Sequence, residues 1–171
     1  GGSVIDSAKA IAMGVATKTD PWQFASTGTK PDTTLPVGTV LTLAASGSES
    51  SNSCVLTNEE TKEKRGITSE TNRPRISFLD PENTYTVSKF QTGCGIVDIM
   101  MHTLERYLTP EGGESDLTDR IAEGLLIATR DAGRRAIADP RDYEARATLM
   151  WAGSVSHNDY TGCGPAWVYQ F

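Results

Sequence analysis

Apolar positions recur at helical spacing from the first residues of the chain, where Val4, Ile5, Ala8, Ile11 and Ala12 form a stripe behind Gly1-Gly2-Ser3. This pattern predicts a helix whose N-terminus lies at the glycines. Between 14 and 36 the stripe is broken by Pro21, Gly28, Pro31 and Pro36, which predicts a loop with at most one helical turn at Pro21-Trp22-Gln23-Phe24. Trp22 and Phe24 read as anchors of that loop on a core. A continuous run of branched apolar residues, Val37 to Leu43, predicts a buried strand. Ser53–Thr57 predicts a second strand and Arg75–Leu79 a third, stopped by Asp80-Pro81 because proline has no N–H for a ladder. The charged stretch from Asn58 to Gly66 reads as a solvated, hairpin-like connection.

Beyond residue 88 the period changes to that of helices. One helix is expected from Gly95 to Leu108, closed by Thr109-Pro110-Glu111-Gly112-Gly113. The next starts at Ser115 or Asp116, with Leu117, Ile121, Leu125, Ala128 and Ala132 facing a core. A third opens at Asp139-Pro140, a cap residue followed by proline at the first helical position, and presents Tyr143, Ala147, Met150 and Trp151 inward. The chain turns irregular at Gly162-Cys163-Gly164-Pro165 and finishes on an apolar, aromatic stretch, 166–171. The fold class expected is α/β followed by all-α, with one domain over 1–87 and a second over 88–171.

Composition narrows the partners. The 171 residues carry a net charge of -6 and a pI near 4.9, which argues against nucleic acid or an anionic membrane surface, since both call for clustered Lys and Arg. No stretch reaches the roughly 18 consecutive apolar residues of a membrane span. Cys54, Cys94 and Cys163 are far apart and odd in number, so neither a disulfide framework nor a paired metal knuckle is expected, and the cytoplasm is the compartment they suggest.

Two stretches carry candidate chemistry. Asp98 and His102 stand four residues apart on the helix expected from Gly95, which puts both on one face, where one divalent ion could be reached by both; an ordinary polar pair has the same spacing. Gly1, Gly2 and Ser3 leave amides at a helix start, where a phosphate could sit with Lys9 as counter-charge, although a plain Gly-Ser cap looks the same. The hydroxyl-rich Ala44-Ala45-Ser46-Gly47-Ser48-Glu49 follows a strand, where open α/β sheets place ligands, or simply turns. Nothing in the local spacing of His157 aims it at Asp98 and His102.

Taken in order, these segments resemble one family. Gly1-Gly2-Ser3-Val4-Ile5-Asp6-Ser7-Ala8-Lys9 resembles the GGGSxxDxxK segment of the iron-containing (group III) alcohol dehydrogenases, lacking its first glycine. Thr42 to Glu49 resembles that family's second nucleotide-contacting loop, and Leu79-Asp80-Pro81, Tyr85-Thr86 and Gly95 to Glu105 resemble its interdomain stretch and first two metal ligands. Leu149-Met150-Trp151-Ala152 is similar to the following helix in the branch of NADPH-preferring butanol dehydrogenases and aldehyde reductases.

The resemblance implies a partial Rossmann-like nucleotide-binding domain and the first helices of a metal-binding domain. It also implies an oxidoreductase that moves hydride between NAD(P)H, NADPH before NADH, and an alcohol or aldehyde. Fe2+ or Zn2+ would serve as Lewis acid. Residue by residue, Gly1, Gly2, Ser3 and Asp6 fall at the pyrophosphate. Thr42 and Ser46 line the cofactor channel, Lys64 contacts the nucleotide on an ungapped reading from Glu49, and Asp98 and His102 hold the metal. The family's two further histidines and its adenine- and ribose-binding part have no counterpart here, and His157 falls on neither histidine position. A truncated, catalytically inert homo-oligomer is therefore the expectation, and its alternative is a non-catalytic remnant that self-associates without metal or cofactor.

Overall fold

The computed structural model describes residues 1–108 and 116–162. The expected Thr109–Gly113 helix stop and the apolar end at 166–171 lie outside the described residues. The chain divides into two compact units, one of Gly1–Val40 with Ser48–Phe78, the other of Leu41–Gly47 with Leu79–Phe171.

The first unit is the α/β part. Helix α1, Gly2–Thr17, begins at the glycines, but of the expected stripe only Ile5 and Ala12 are buried, alongside Lys9, Ala10 and Met13, while Val4 and Ile11 face out. The region expected as loop contains a seven-residue helix α2, Pro21–Thr27, longer than the single turn foreseen. Asp20 caps it by accepting from Trp22 N, Pro21 supplies a preset φ, and Gly28 ends it at φ 72°. Met13, Ala25 and Ile67 form the core here, with Trp22 and Phe24 packed against it as anchors.

Strand β1 is only Gly38–Val40 and is not a buried run, because Thr39 alone turns inward while Val40 faces out. It pairs in parallel with β4, Ile76–Phe78, the arrangement of a Rossmann-type sheet. β2, Ser53–Thr57, matches its expected bounds, but the charged connection after it holds a further strand, β3, Lys64–Thr68, antiparallel to β2 with Thr57 opposite Lys64. Asn58 closes the turn by accepting from the amides of Glu60 and Thr61. Lys64, Arg65 and Gly66 carry no apolar alternation, so the strand exists through cross-strand pairing with a neighbour in space.

The second unit is helical. Helix α3, Lys89–Tyr107, does not start at Gly95: Ser88 caps it by accepting from Gln91 N, so the glycines lie inside the helix. Gly95 is needed for approach rather than initiation, since a Cβ there would stand 2.2 Å from the carbonyl oxygen of Ala44. Gly47 combines a φ of 65° with a Cβ position 2.5 Å from the carbonyl oxygen of Gly153. These two glycines let the segment 41–47 lie against α3 and α5.

Helix α4, Asp116–Ala138, starts where expected but turns another face inward. It buries Thr118, Ala122, Thr129, Ala132, Gly133 and Ala136, while Leu117 is exposed. Helix α5, Tyr143–Ser156, is capped by Asp142 and not Asp139, and it buries Ala145, Leu149, Met150 and Ala152 while Tyr143 and Trp151 face out. The reason is common to both. Ala132 and Ala136 meet Ala145 and Leu149 with Ile96 and Ala44 alongside, and close helix contact selects small residues over the large apolar ones that a periodicity count favours. Asp139 instead holds a turn by accepting from Arg141 N.

Candidate functional site

The middle of α3 positions the candidate metal ligands. Ile99 and Thr103 are fully buried and fix the helix's inner face. One position away, Asp98 Oδ1 and His102 Nε2 come within 3.9 Å of each other, with His102 8% exposed and Asp98 half-buried. An ion at about 2.0–2.2 Å from each donor spans up to about 4 Å, so one divalent ion fits between them. Among the described residues no group of three or more His, Cys, Asp or Glu is placed to hold a metal. The pair stands there as two candidate donors.

Tertiary structure adds two residues to this pair that sequence spacing did not. His157 follows the end of α5, and its ring stacks on that of His102, with centroids 4.6 Å apart and planes at 29°. Arg106, one turn after His102, donates from Nη1 to the carbonyls of His102, at 3.0 Å, and Ser156, and from Nη2 to His157 Nδ1 at 3.0 Å. A guanidinium can only donate, so Nδ1 accepts and the His157 proton sits on Nε2. With its Nδ1 held and its Nε2 carrying the proton, His157 in this arrangement is a neighbour of the pair and not a third ligand. Burial holds the Arg106 pKa below its usual value, opposed by Asp159 and Glu105. The spacing His102–Arg106 was one signal available; the meeting with His157, fifty-one residues on from Arg106, had none.

In the first unit the α1 N-terminus has Gly1 as cap residue with no side-chain hydrogen bond and no acidic residue in its first turn, so its amides suit an anion. Asp6, by contrast, is engaged internally: Oδ1 accepts from Ser48 Oγ at 2.5 Å and Oδ2 from Val55 N at 3.1 Å. Lys9, 1% exposed, donates to the carbonyls of Ser51 at 3.0 Å and Ser53 at 2.7 Å, so it ties α1 to the start of β2 and offers no counter-charge to a phosphate. Burial pushes its ammonium down to about 8, partly opposed by Asp6. The Cys54 thiol beside it is pushed up to about 12 by burial and by Asp6, which keeps it protonated and unreactive. Gly1 and Gly2 are half-buried and Ser3 is exposed, Lys64 is exposed at the start of β3, and in the second unit Thr42 is exposed and Ser46 half-buried.

Residues 1–81 match the family model described as iron-containing alcohol dehydrogenase. The chain resembles the iron-containing alcohol dehydrogenase family over nearly all of its length. Among its relatives, the NADH-dependent butanol dehydrogenase A of Clostridium acetobutylicum is 43% identical over 96% of this chain and 42% of that protein. The NADPH-dependent aldehyde reductase YqhD of Escherichia coli is 38% identical over 96% of this chain and 43% of that protein. The crystal structure of NADH-dependent butanol dehydrogenase A from Thermotoga maritima superposes with a TM-score of 0.91 at 40% identity, covering 97% of this chain and 41% of that one. The chain thus spans about two fifths of the length of the relatives it matches.

Proposed function

We propose that this chain carries part of the machinery of an oxidoreductase that moves hydride between a nicotinamide dinucleotide and an alcohol or aldehyde. The observation that carries the reading is the Asp98–His102 pair, two donors 3.9 Å apart on one face of α3. The first unit would contribute Gly1, Gly2 and Ser3 to the pyrophosphate and Lys64 to the nucleotide; the second would contribute Thr42 and Ser46. Asp6 is better described as holding Ser48 and Val55 in place than as a phosphate contact, since a carboxylate beside a pyrophosphate is repelled and both its oxygens are occupied. A divalent ion bound by Asp98 and His102, Fe2+ or Zn2+, would supply Lewis-acid polarisation of the substrate oxygen.

Two ligands do not hold such an ion firmly. Loss of a mere supporting partner costs about 10–100-fold in metal affinity, so these 171 residues alone are expected to be catalytically inert. NADPH is the cofactor expected, on likeness to the aldehyde reductase; the identity to an NADH-dependent butanol dehydrogenase makes a titration with both the deciding measurement. Metal analysis of the purified chain, with NADPH and NADH fluorescence titrations, tests the proposal. Metal that co-purifies and disappears in His102→Ala, with a fluorescence response to either nucleotide, supports it. No metal and no response at millimolar nucleotide rejects it for the isolated chain.

The second reading, a non-catalytic body that self-associates into homo-oligomers, has its own observation. Val40, Ile76 and Phe78 on the β1–β4 pair, and separately Phe90, Leu117 and Trp151 in the helical unit, are large apolar side chains exposed to solvent. Light scattering on a size-exclusion column checks this, and a monomer at all concentrations would remove it.

A further inference from the structure

We propose that Arg146 and Thr92 form a site for a small monovalent anion of the halide class, chloride being the natural occupant, inside the helical unit. Arg146 lies in the second turn of α5 and is 4% exposed. Its Nε donates to the carbonyl of Pro140 at 3.0 Å and its Nη1 to Thr92 Oγ1 at 3.0 Å. Both acceptors are uncharged. The buried Nη2 has no hydrogen-bond partner among the described residues. Burial lowers the Arg146 pKa and only Tyr85 opposes it, which is how a guanidinium without a carboxylate behaves.

Beside it is a cavity of about 10 Å³ lined by Leu43, Ala44, Thr84, Thr92, Arg146 and Leu149. That is room for about one small sphere, which favours a monatomic ion or a water over a polyatomic oxyanion such as phosphate or sulfate. The polar atoms with hydrogens to give are donors: the N–H groups of Nη2, and the hydroxyl of Thr92, whose oxygen already accepts from Arg146 and whose proton remains available. Thr84 has committed its proton to the carbonyl of Pro81 at 2.7 Å and adds no further donor. A water could fill the same space and bridge to the Thr84 oxygen. It would leave the guanidinium charge uncompensated in an apolar setting, whereas a halide neutralises it and accepts from both donors. The ion would join the first turn of α3, α5 and the segment 41–47. This proposal rests on neither the metal pair nor the nucleotide residues, so either reading can fail alone.

The experiment compares thermal midpoints in sodium chloride and sodium gluconate at equal ionic strength, about 0.2 M, gluconate being too large for the cavity. The wild-type midpoint is expected to be higher in chloride by about 3 °C. In Thr92→Val, which keeps the charge and the shape but removes one donor, the gap should shrink to under about 1 °C. Crystals grown in sodium bromide should show an anomalous peak within hydrogen-bonding distance of Arg146 Nη2. Equal wild-type midpoints in the two salts, or density at Nη2 that refines as water without an anomalous signal, would overturn the site.

Discussion

The two units of this chain both bury long charged side chains against backbone carbonyls, but they treat the charged residues of their motifs differently. In the α/β unit, long charged side chains act as ties: Lys9 holds the backbone at Ser51 and Ser53, and Asp6 holds Ser48 and Val55. In the helical unit the helices meet through Ala132, Ala136 and Ala145, Gly95 admits the carbonyl of Ala44, and the motif residues Asp98 and His102 are arranged toward each other. Asp6 and Lys9 in the first unit are therefore occupied by the fold, whereas Asp98 and His102 in the second face each other across 3.9 Å. Conspicuous charge in a sequence motif is not by itself a sign of chemistry; whether the fold has already used its hydrogen-bonding capacity decides that.

This contrast can be broken experimentally. Gly95→Val drives side-chain atoms into the Ala44 carbonyl and should destabilise the helical unit by about 3 kcal/mol or more, read as loss of cooperative urea unfolding. Lys9→Met should cost somewhat less, about 2–3 kcal/mol, because it leaves buried carbonyls at Ser51 and Ser53 without their donor.

The same lysine supplies a pH test with a definite sign. Its folded pKa of about 8 lies below the ordinary lysine value of 10.5, so between those values the unfolded chain binds more protons and stability rises with pH. The gain is at most about 3 kcal/mol and should be present in wild type and missing in Lys9→Met, as measured by urea midpoints at pH values across that window. A wild-type curve parallel to that of the variant would mean that the lysine is less desolvated than its surroundings imply.

Ser88→Ala removes the α3 cap and should lower stability by about 1 kcal/mol. The smallest effect is expected at Gly93, where an added Cβ meets nothing within 4 Å, so Gly93→Ala should stabilise α3 by about 0.5–1 kcal/mol. A loss at Gly93 as large as that at Gly95 would show that both glycines, and not one, are required by close approach.

How much of this was legible differs by feature. The α1 start, β2, the stop at Asp80-Pro81 and the change from α/β to helical were readable, because each follows from local period, proline chemistry or capping. The inward faces of α4 and α5 were read only in part, with Ala132 and Met150 buried as expected. A count of large apolar residues put Leu117, Tyr143 and Trp151 inside, where the structure turns them out and packs alanines and threonines. β3 was missed since its residues gain strand conformation only from β2. At the candidate site, the closeness of Asp98 and His102 was readable from their spacing, while the contacts of Arg106 and His157 with them were not.

The sequence alone carried the family resemblance, the change from α/β to helical and the one-turn separation of Asp98 and His102, because these depend on residues close together along the chain. Only the tertiary structure decided that Asp6 and Lys9 are structural ties, that His157 stacks on His102 under the hand of Arg106, and that Gly95 exists for the carbonyl of Ala44. Each of those facts joins residues about forty or more positions apart, and local period carries no information about contacts at that range.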